Sequence, residues 1–262
     1  YNQYPLLNTK DTYFMKVKFT DTFSGIIYLN LTFTETIYNK SNIVLNKIDN
    51  YNYSFPINLS YLPKNYEGAV NITFSGTDKY NNVEINIAPK KFEKFYIDGK
   101  KPELNITIIT PKNNSFISTT SPTITWSNAS DNGLYPSGIK NYYIEISSNI
   151  NFKSVVETYV IYSAYYNMKS SLSELSYYWR IYSSDTLSNI SDWSNTYSFI
   201  VDLTPPSKVT GLQSITHIID KETSNSTVLI NWNQSIDKSS GVAGYSIKWG
   251  EIPLGVLSEN VS

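Results

Sequence analysis

Cysteine is absent from the 262 residues. This excludes disulfides and thiolate metal sites, but modules of about a hundred residues fold without such staples, so it assigns no compartment. Histidine occurs once, at His217, which leaves a Ser-His-Asp triad or a multi-histidine metal centre almost nothing to work with. Of the 21 basic residues only Arg180 is an arginine, so bidentate clamps for phosphate or carboxylate are nearly unavailable. A net charge of −1 and a pI near 5.9 supply no general pull toward nucleic acid or anionic lipid. No apolar run approaches the roughly 18 to 20 residues needed to span a bilayer. No charged-then-apolar leader or initiator Met opens the chain, which reads as a processed chain or a piece of a longer one.

An apolar stripe of period 3.6 is also missing, and alternation stands in its place. Ile27, Leu29, Leu31 and Phe33 alternate with Tyr28, Asn30, Thr32 and Thr34, while Met15, Val17 and Phe19 alternate with lysines. Val70, Ile72 and Phe74 repeat the pattern, as do Leu104, Ile106 and Ile108. Tyr142, Ile144 and Ile146 face away from Tyr143, Glu145 and Ser147, and Tyr177, Trp179, Ile181 and Ser183 away from Tyr178, Arg180, Tyr182 and Ser184. Val228, Ile230 and Trp232, then Tyr245, Ile247 and Trp249, predict two further strands with these side chains inward. With 23 tyrosines and only 16% charged residues, the composition suits strands with polar outer faces, and the fold class is all-β.

One spaced pattern occurs twice. Trp126, Asp131, Ser137-Gly138-Ile139 and Tyr142-x-Ile144 reappear as Trp232, Asp237, Ser240-Gly241-Val242 and Tyr245-x-Ile247. A shorter relative, Phe19-x-Asp21 with Ser24-Gly25-Ile26, lies one period upstream. Signals at a fixed, domain-sized interval predict one fold copied in tandem. Proline-bearing joints at Asp98 to Pro102 and Asp202 to Pro206 divide the chain into 1–98, 103–203 and 206–262. The third unit stops early after Trp249, so the natural chain continues or another subunit lends a strand.

The second and third units resemble the immunoglobulin-like (Ig-like) and fibronectin type III-like (FnIII-like) modules of exported bacterial and archaeal surface proteins. The resemblance rests on Tyr177 to Asp185 with Asp192-Trp193-Ser194 and Phe199 to Asp202 as late strands. Pro205 to Leu212 and Val228-x-Ile230-x-Trp232 resemble the next module's first two strands. In the first unit, Asp21 to Ile26 and Phe74 to Val83 resemble bacterial Ig-like repeats, with Asn81 where the family usually has glycine. The resemblance implies tandem Ig-like/FnIII-like β-sandwich domains arranged as a rod, non-enzymatic and extracellular. They would work as a surface-layer, filament or adhesin array, or as accessory modules of a secreted depolymerising enzyme. Host attachment by a viral spike has no direct support in the residues. Partners would be copies of the chain, other surface subunits or glycans, with no nucleic acid.

Candidate chemistry is sparse. Asp131 with Glu145, and Asp237 with Glu251, are the carboxylate pairs a glycosidase would use, but a pattern stamped into successive copies is more simply a turn device. No cofactor is called for; calcium is the alternative for acids near module ends, namely Asp78, Asp98, Asp185 and Asp202, although none shows a dedicated Asp-x-Asp-x-Asp loop. Twelve N-glycosylation triplets start at Asn30, Asn39, Asn52, Asn58, Asn71, Asn105, Asn113, Asn128, Asn189, Asn225, Asn233 and Asn260, against roughly six expected by chance. Outward Tyr143, Tyr178 and Tyr182 offer either plain sheet cover or a sugar-stacking or self-association surface.

Overall fold

The computed structural model describes residues 6–10, 12–18, 26–33, 38–47, 52–77, 83–85, 94–218 and 221–248. Among them there is no α-helix, and therefore none long and apolar enough to cross a membrane. The first nine strands are β1 (Leu6–Leu7), β2 (Thr12–Lys18), β3 (Ile26–Phe33), β4 (Lys40–Val44), β5 (Asn46–Lys47), β6 (Asn52–Asn58), β7 (Glu67–Thr77), β8 (Val83–Ile85) and β9 (Lys94–Asp98). They form one sheet in the order β1-β9-β7-β3-β4, with β8 on β7, and a second in the order β2-β6-β5. Ile57, Leu59, Val70, Phe95 and Ile97 fill the space between, each at most 1% exposed.

The next eight are β10 (Ile108–Thr110), β11 (Ser115–Ile117), β12 (Thr123–Trp126), β13 (Ile139–Ser147), β14 (Val155–Ile161), β15 (Tyr165–Asn167), β16 (Ser176–Asp185) and β17 (Tyr197–Val201). Their sheets run β11-β17-β16-β13-β14 and β10-β12-β15 around a separate core of Trp126, Trp179, Ile144, Ile181 and Phe199. In both sandwiches a short early strand pairs in parallel with the last one, β1 with β9 and β11 with β17. The period-2 reading places Tyr142, Ile144 and Ile146 of β13, and Tyr177, Trp179 and Ile181 of β16, inward as expected. Ser147 departs from it. A register shift between Ile146 and Ser147 turns that serine into the protein, where its hydroxyl donates to Ser154 O and accepts from Asn149 N.

Leu104 and Ile106 pack against the second core without forming a strand; only Ile108 of that trio enters one. Beyond Val201, β18 (Thr210–Ser214) and β19 (Ile230–Asn233) form a two-stranded sheet. The strand expected over Tyr245 to Trp249 is absent among the described residues, and Ile247 is exposed. The corresponding β13 lies between β14 and β16. No equivalents of those two neighbours occur among the described residues here, so the ladder that would hold such a strand is not built.

Candidate functional site

The repeated pattern is a set of backbone locks. Trp126 and Tyr142 meet edge to face in the core, and the Tyr142 hydroxyl accepts Ala129 N at 2.8 Å. Asp131 Oδ2 accepts Gly138 N at 2.7 Å, closing the loop that leads into β13, and Gly138 takes a positive φ of 85° that favours glycine. In the second copy Tyr245 accepts Ser235 N at 2.8 Å, Asp237 Oδ1 accepts Gly241 N at 3.2 Å, and Gly241 sits at φ 80°.

Each loop also receives a carboxylate from the preceding unit. Asp98, the last residue of β9, accepts Ser137 N on Oδ2 at 2.9 Å, and its Oδ1 accepts Lys100 N. Asp202, just past β17, accepts Ser240 N on Oδ2 at 3.0 Å and Thr204 N on Oδ1. The first junction carries further contacts. Tyr96 stacks on Tyr135 at 4.3 Å, Leu134 N donates to Glu67 Oε1, and Asn8 Nδ2 and Lys10 Nζ donate to the carbonyls of Leu187 and Ser188. Gly99 is required here, because a Cβ would lie 2.6 Å from Lys64 O and 2.7 Å from Tyr66 O.

At that junction three carboxylates converge. One oxygen each from Asp98, Asp131 and Asp185 lie within 4.8 Å of one another, the one such group among the described residues. Asp98 and Asp185 are fully buried and Asp131 is half-buried. Asp185 ends β16 and accepts Asn189 N on Oδ1 and Asn189 Nδ2 on Oδ2, both at 2.7 Å. Burial pushes the Asp98 carboxyl above its usual range, opposed by hydrogen bonds from Ser137 and reinforced by Asp131 and Asp185. Burial likewise raises Asp131, opposed by the Gly138 amide and reinforced by Asp185. Lys100, the nearby cation, directs its ammonium to Glu103 Oε1 at 3.2 Å and to the Asn132 carbonyl. At the second junction, by contrast, hydrogen bonding from Ser240 holds Asp202 below the usual range.

Of the four acids read as calcium candidates, the fold brings Asp98 and Asp185 together and leaves Asp202 at the other junction. Asp78 lies outside the described residues. Asp131, whose spacing predicts a turn cap, does cap one, and it also joins the carboxylate cluster, which the spacing does not predict. The one available signal was that Asp98 and Asp202 occupy equivalent strand ends one repeat apart. Glu145 does not join Asp131, since Arg180 engages it through Nε and Nη2 at 2.9 and 2.7 Å. Glu251 is outside the described residues. His217 donates its backbone N–H to Ser214 Oγ at 2.9 Å, and its Nδ1 meets the Thr216 hydroxyl at 3.0 Å.

One glycosylation candidate is corrected. Asn189 is 2% exposed, and its amide nitrogen is committed to Asp185 Oδ2 and Asp98 O, so a glycan there is incompatible with the folded chain. Asn39, Asn58, Asn71, Asn105, Asn113, Asn128, Asn225 and Asn233 are exposed. Asn30 and Asn52 lie in β3 and β6, and Asn260 lies outside the described residues. On the outer face of the second sandwich Tyr143 stacks on Tyr182 at 4.9 Å, Trp193 meets both edge-on, and Arg180 lies over Trp193. Tyr178 is half-buried.

No family model matches the chain, and no curated protein matches it. Solved structures do. Domains A168–A170 of titin align over 76% of this chain and 62% of theirs, at 12% identity and a TM-score of 0.44. The FN1–FN3 domains of chicken CNTN1 align over 75% of this chain and 65% of theirs, at 6% identity and a TM-score of 0.35. The fibronectin(III)-like modules of CbhA from Clostridium thermocellum align over 76% and 89%, at 12% identity and a TM-score of 0.35. The chain spans less than two thirds of the titin and CNTN1 fragments. Two of these neighbours are fibronectin type III modules by name; the all-β fold of this chain, with two sandwiches around separate cores, rests on its own sheets.

Proposed function

We propose that the chain is a structural module array of an extracellular surface layer, filament or adhesin. Its units, 1–98, 103–203 and 206–262, would be strung as a rod and act through contacts between modules and between subunits. The observation that carries this reading is the repeated strut. A carboxylate at the end of one unit grips the Ser-Gly loop of the next, at 2.9 Å in one junction and 3.0 Å in the other. A chain that repeats the same joint at successive unit boundaries is suited to bearing load and holding distance. Non-enzymatic work fits the engagement of Glu145 by Arg180 and of the His217 ring by the Thr216 hydroxyl. Small-angle scattering from the purified chain is expected to show an extended particle, with sheets or filaments forming at high concentration. A compact, monomeric sphere contradicts the proposal.

A second reading, an accessory module of a secreted polysaccharide-degrading enzyme, is favoured by the Tyr143–Tyr182–Trp193 cluster, whose Trp193 is 40% exposed. Stacked rings beside an arginine suit sugar faces. Retardation of the chain in gels containing soluble polysaccharides, lost on Trp193→Ala, supports this reading; unaltered migration removes it.

A further inference from the structure

We propose that Asp98, Asp131 and Asp185 form a calcium site that fastens the first sandwich to the second. This inference does not depend on the role of the array as a whole. Three carboxylates in a common buried pocket repel one another, and the donors their oxygens meet are neutral: the amides Lys100 N, Ser137 N, Gly138 N, Asn189 N and Asn189 Nδ2, with the Ser137 hydroxyl beside Asp98. The negative charge therefore has no cationic hydrogen-bond partner among the described residues. Two acceptor oxygens on Asp131 and Asn189 lack a hydrogen-bond partner. Asp131 Oδ1 is buried and unpaired, and so is Oδ1 of Asn189, a side chain 98% removed from solvent whose nitrogen already bridges Asp185 and the Asp98 carbonyl. Unpaired buried acceptors beside crowded carboxylates are the complement of a hard cation.

The donor set selects the ion. Calcium accepts about six to eight oxygens in flexible geometry, whereas magnesium dehydrates reluctantly and is seldom held by an all-protein cage. Asp98, Asp131 and Asp185 bring carboxylate oxygens close together from three separate segments, a protein-built oxygen cage of the kind calcium takes. All donors are oxygen, which disfavours zinc and copper. Asp98 comes from the first sandwich, while Asp131, Asp185 and Asn189 come from the second, so the ion would tie the two together. Access is through an open cleft beside Asp131, bordered by Glu67, Lys100 and Asn132.

Asp131→Asn is the discriminating variant. Its Oδ1 can keep the bond from Gly138 N, while its amide nitrogen takes the place of the unpaired oxygen and donates toward the neighbouring carboxylates. Chelator-stripped full chain would be titrated with calcium chloride by calorimetry, and its urea midpoint measured with and without calcium. The wild type is expected to bind one calcium per chain with a Kd of about 1 mM or tighter, and to unfold at higher urea in its presence. In chelator Asp131→Asn unfolds at the wild-type midpoint or above it, but binds calcium at least about tenfold more weakly. Asp237→Asn, the equivalent change at the other junction, leaves calcium affinity as in wild type. No heat and no midpoint shift in wild type at about 10 mM calcium, equal affinity in Asp131→Asn, or magnesium bound as tightly as calcium would each overturn the assignment. The wild-type titration decides even if the variant fails to fold.

Discussion

The same lock is built twice in different surroundings, which makes Tyr142→Phe and Tyr245→Phe a controlled pair. Each hydroxyl accepts one backbone amide at 2.8 Å, from Ala129 and Ser235 respectively. Tyr142 is 3% exposed and Tyr245 is 40% exposed. Removing the Tyr142 hydroxyl leaves Ala129 N–H buried without a partner, at a cost of about 1–3 kcal/mol. At Tyr245 water can replace the hydroxyl, and the change should stay within about 0.5 kcal/mol. The phenyl ring is retained in both, so core volume does not change. Urea unfolding followed by tryptophan fluorescence reports the second sandwich through Trp126 and Trp179, both at most 1% exposed. With an m-value of about 2 kcal/mol/M, Tyr142→Phe lowers the midpoint of that transition by about 0.5–1.5 M, and Tyr245→Phe leaves it in place. Equal shifts from the two variants, or none from Tyr142→Phe, would refute the view that burial sets the worth of this bond.

Trp179→Ala empties the centre of the second core, where the ring is fully buried, and should cost about 3–5 kcal/mol; the same urea assay measures it. Gly99→Ala forces a methyl against two carbonyl oxygens of the Lys64–Tyr66 turn, so a loss of about 1–3 kcal/mol is expected at the first junction, read as a lower thermal midpoint. The pH response of that junction has a definite sign. Because Asp98 and Asp131 are raised, the folded chain binds more protons than the unfolded chain between the ordinary carboxylate range and the raised values. Their contribution is fully present below the ordinary range and is lost as pH climbs through the folded values. In chelator, the urea midpoint of wild type should therefore fall relative to Asp131→Asn as pH rises from acid to neutral; a constant difference contradicts this. Asp202, held below its usual range, contributes with the opposite sign, losing its share as pH falls. Peptide mapping after expression in an N-glycosylating host should find Asn189 unmodified; occupancy there would contradict its burial in the folded chain.

Much of the β-structure was legible because a strand shows its two faces every second residue. Tyr142, Ile144, Ile146, Tyr177, Trp179 and Ile181 turned inward as their alternation demanded. Ser147 did not, because a register shift is a property of two strands at once, and one strand's pattern cannot carry it. The strand expected at Tyr245 and Ile247 did not form, and among the described residues no neighbouring strand is present for it to bond. The site was harder to see. Asp131 invited pairing with Glu145, fourteen positions on, yet Glu145 lies on the outer face with Arg180. Asn189 matched a glycosylation triplet, whose three residues say nothing about burial.

By itself the sequence determined the alternating strands, the repeat and the turn-capping aspartates, because these depend on neighbours along one chain and on a period that any reader can count. The three-carboxylate pocket belongs to tertiary structure alone. Asp98 closes a strand of one sandwich, Asp185 closes a strand of the next, and Asp131 sits in a loop between them. Only the docking of two separate cores end to end places those residues in one desolvated volume, where like charges must be neutralised by protons or by an ion.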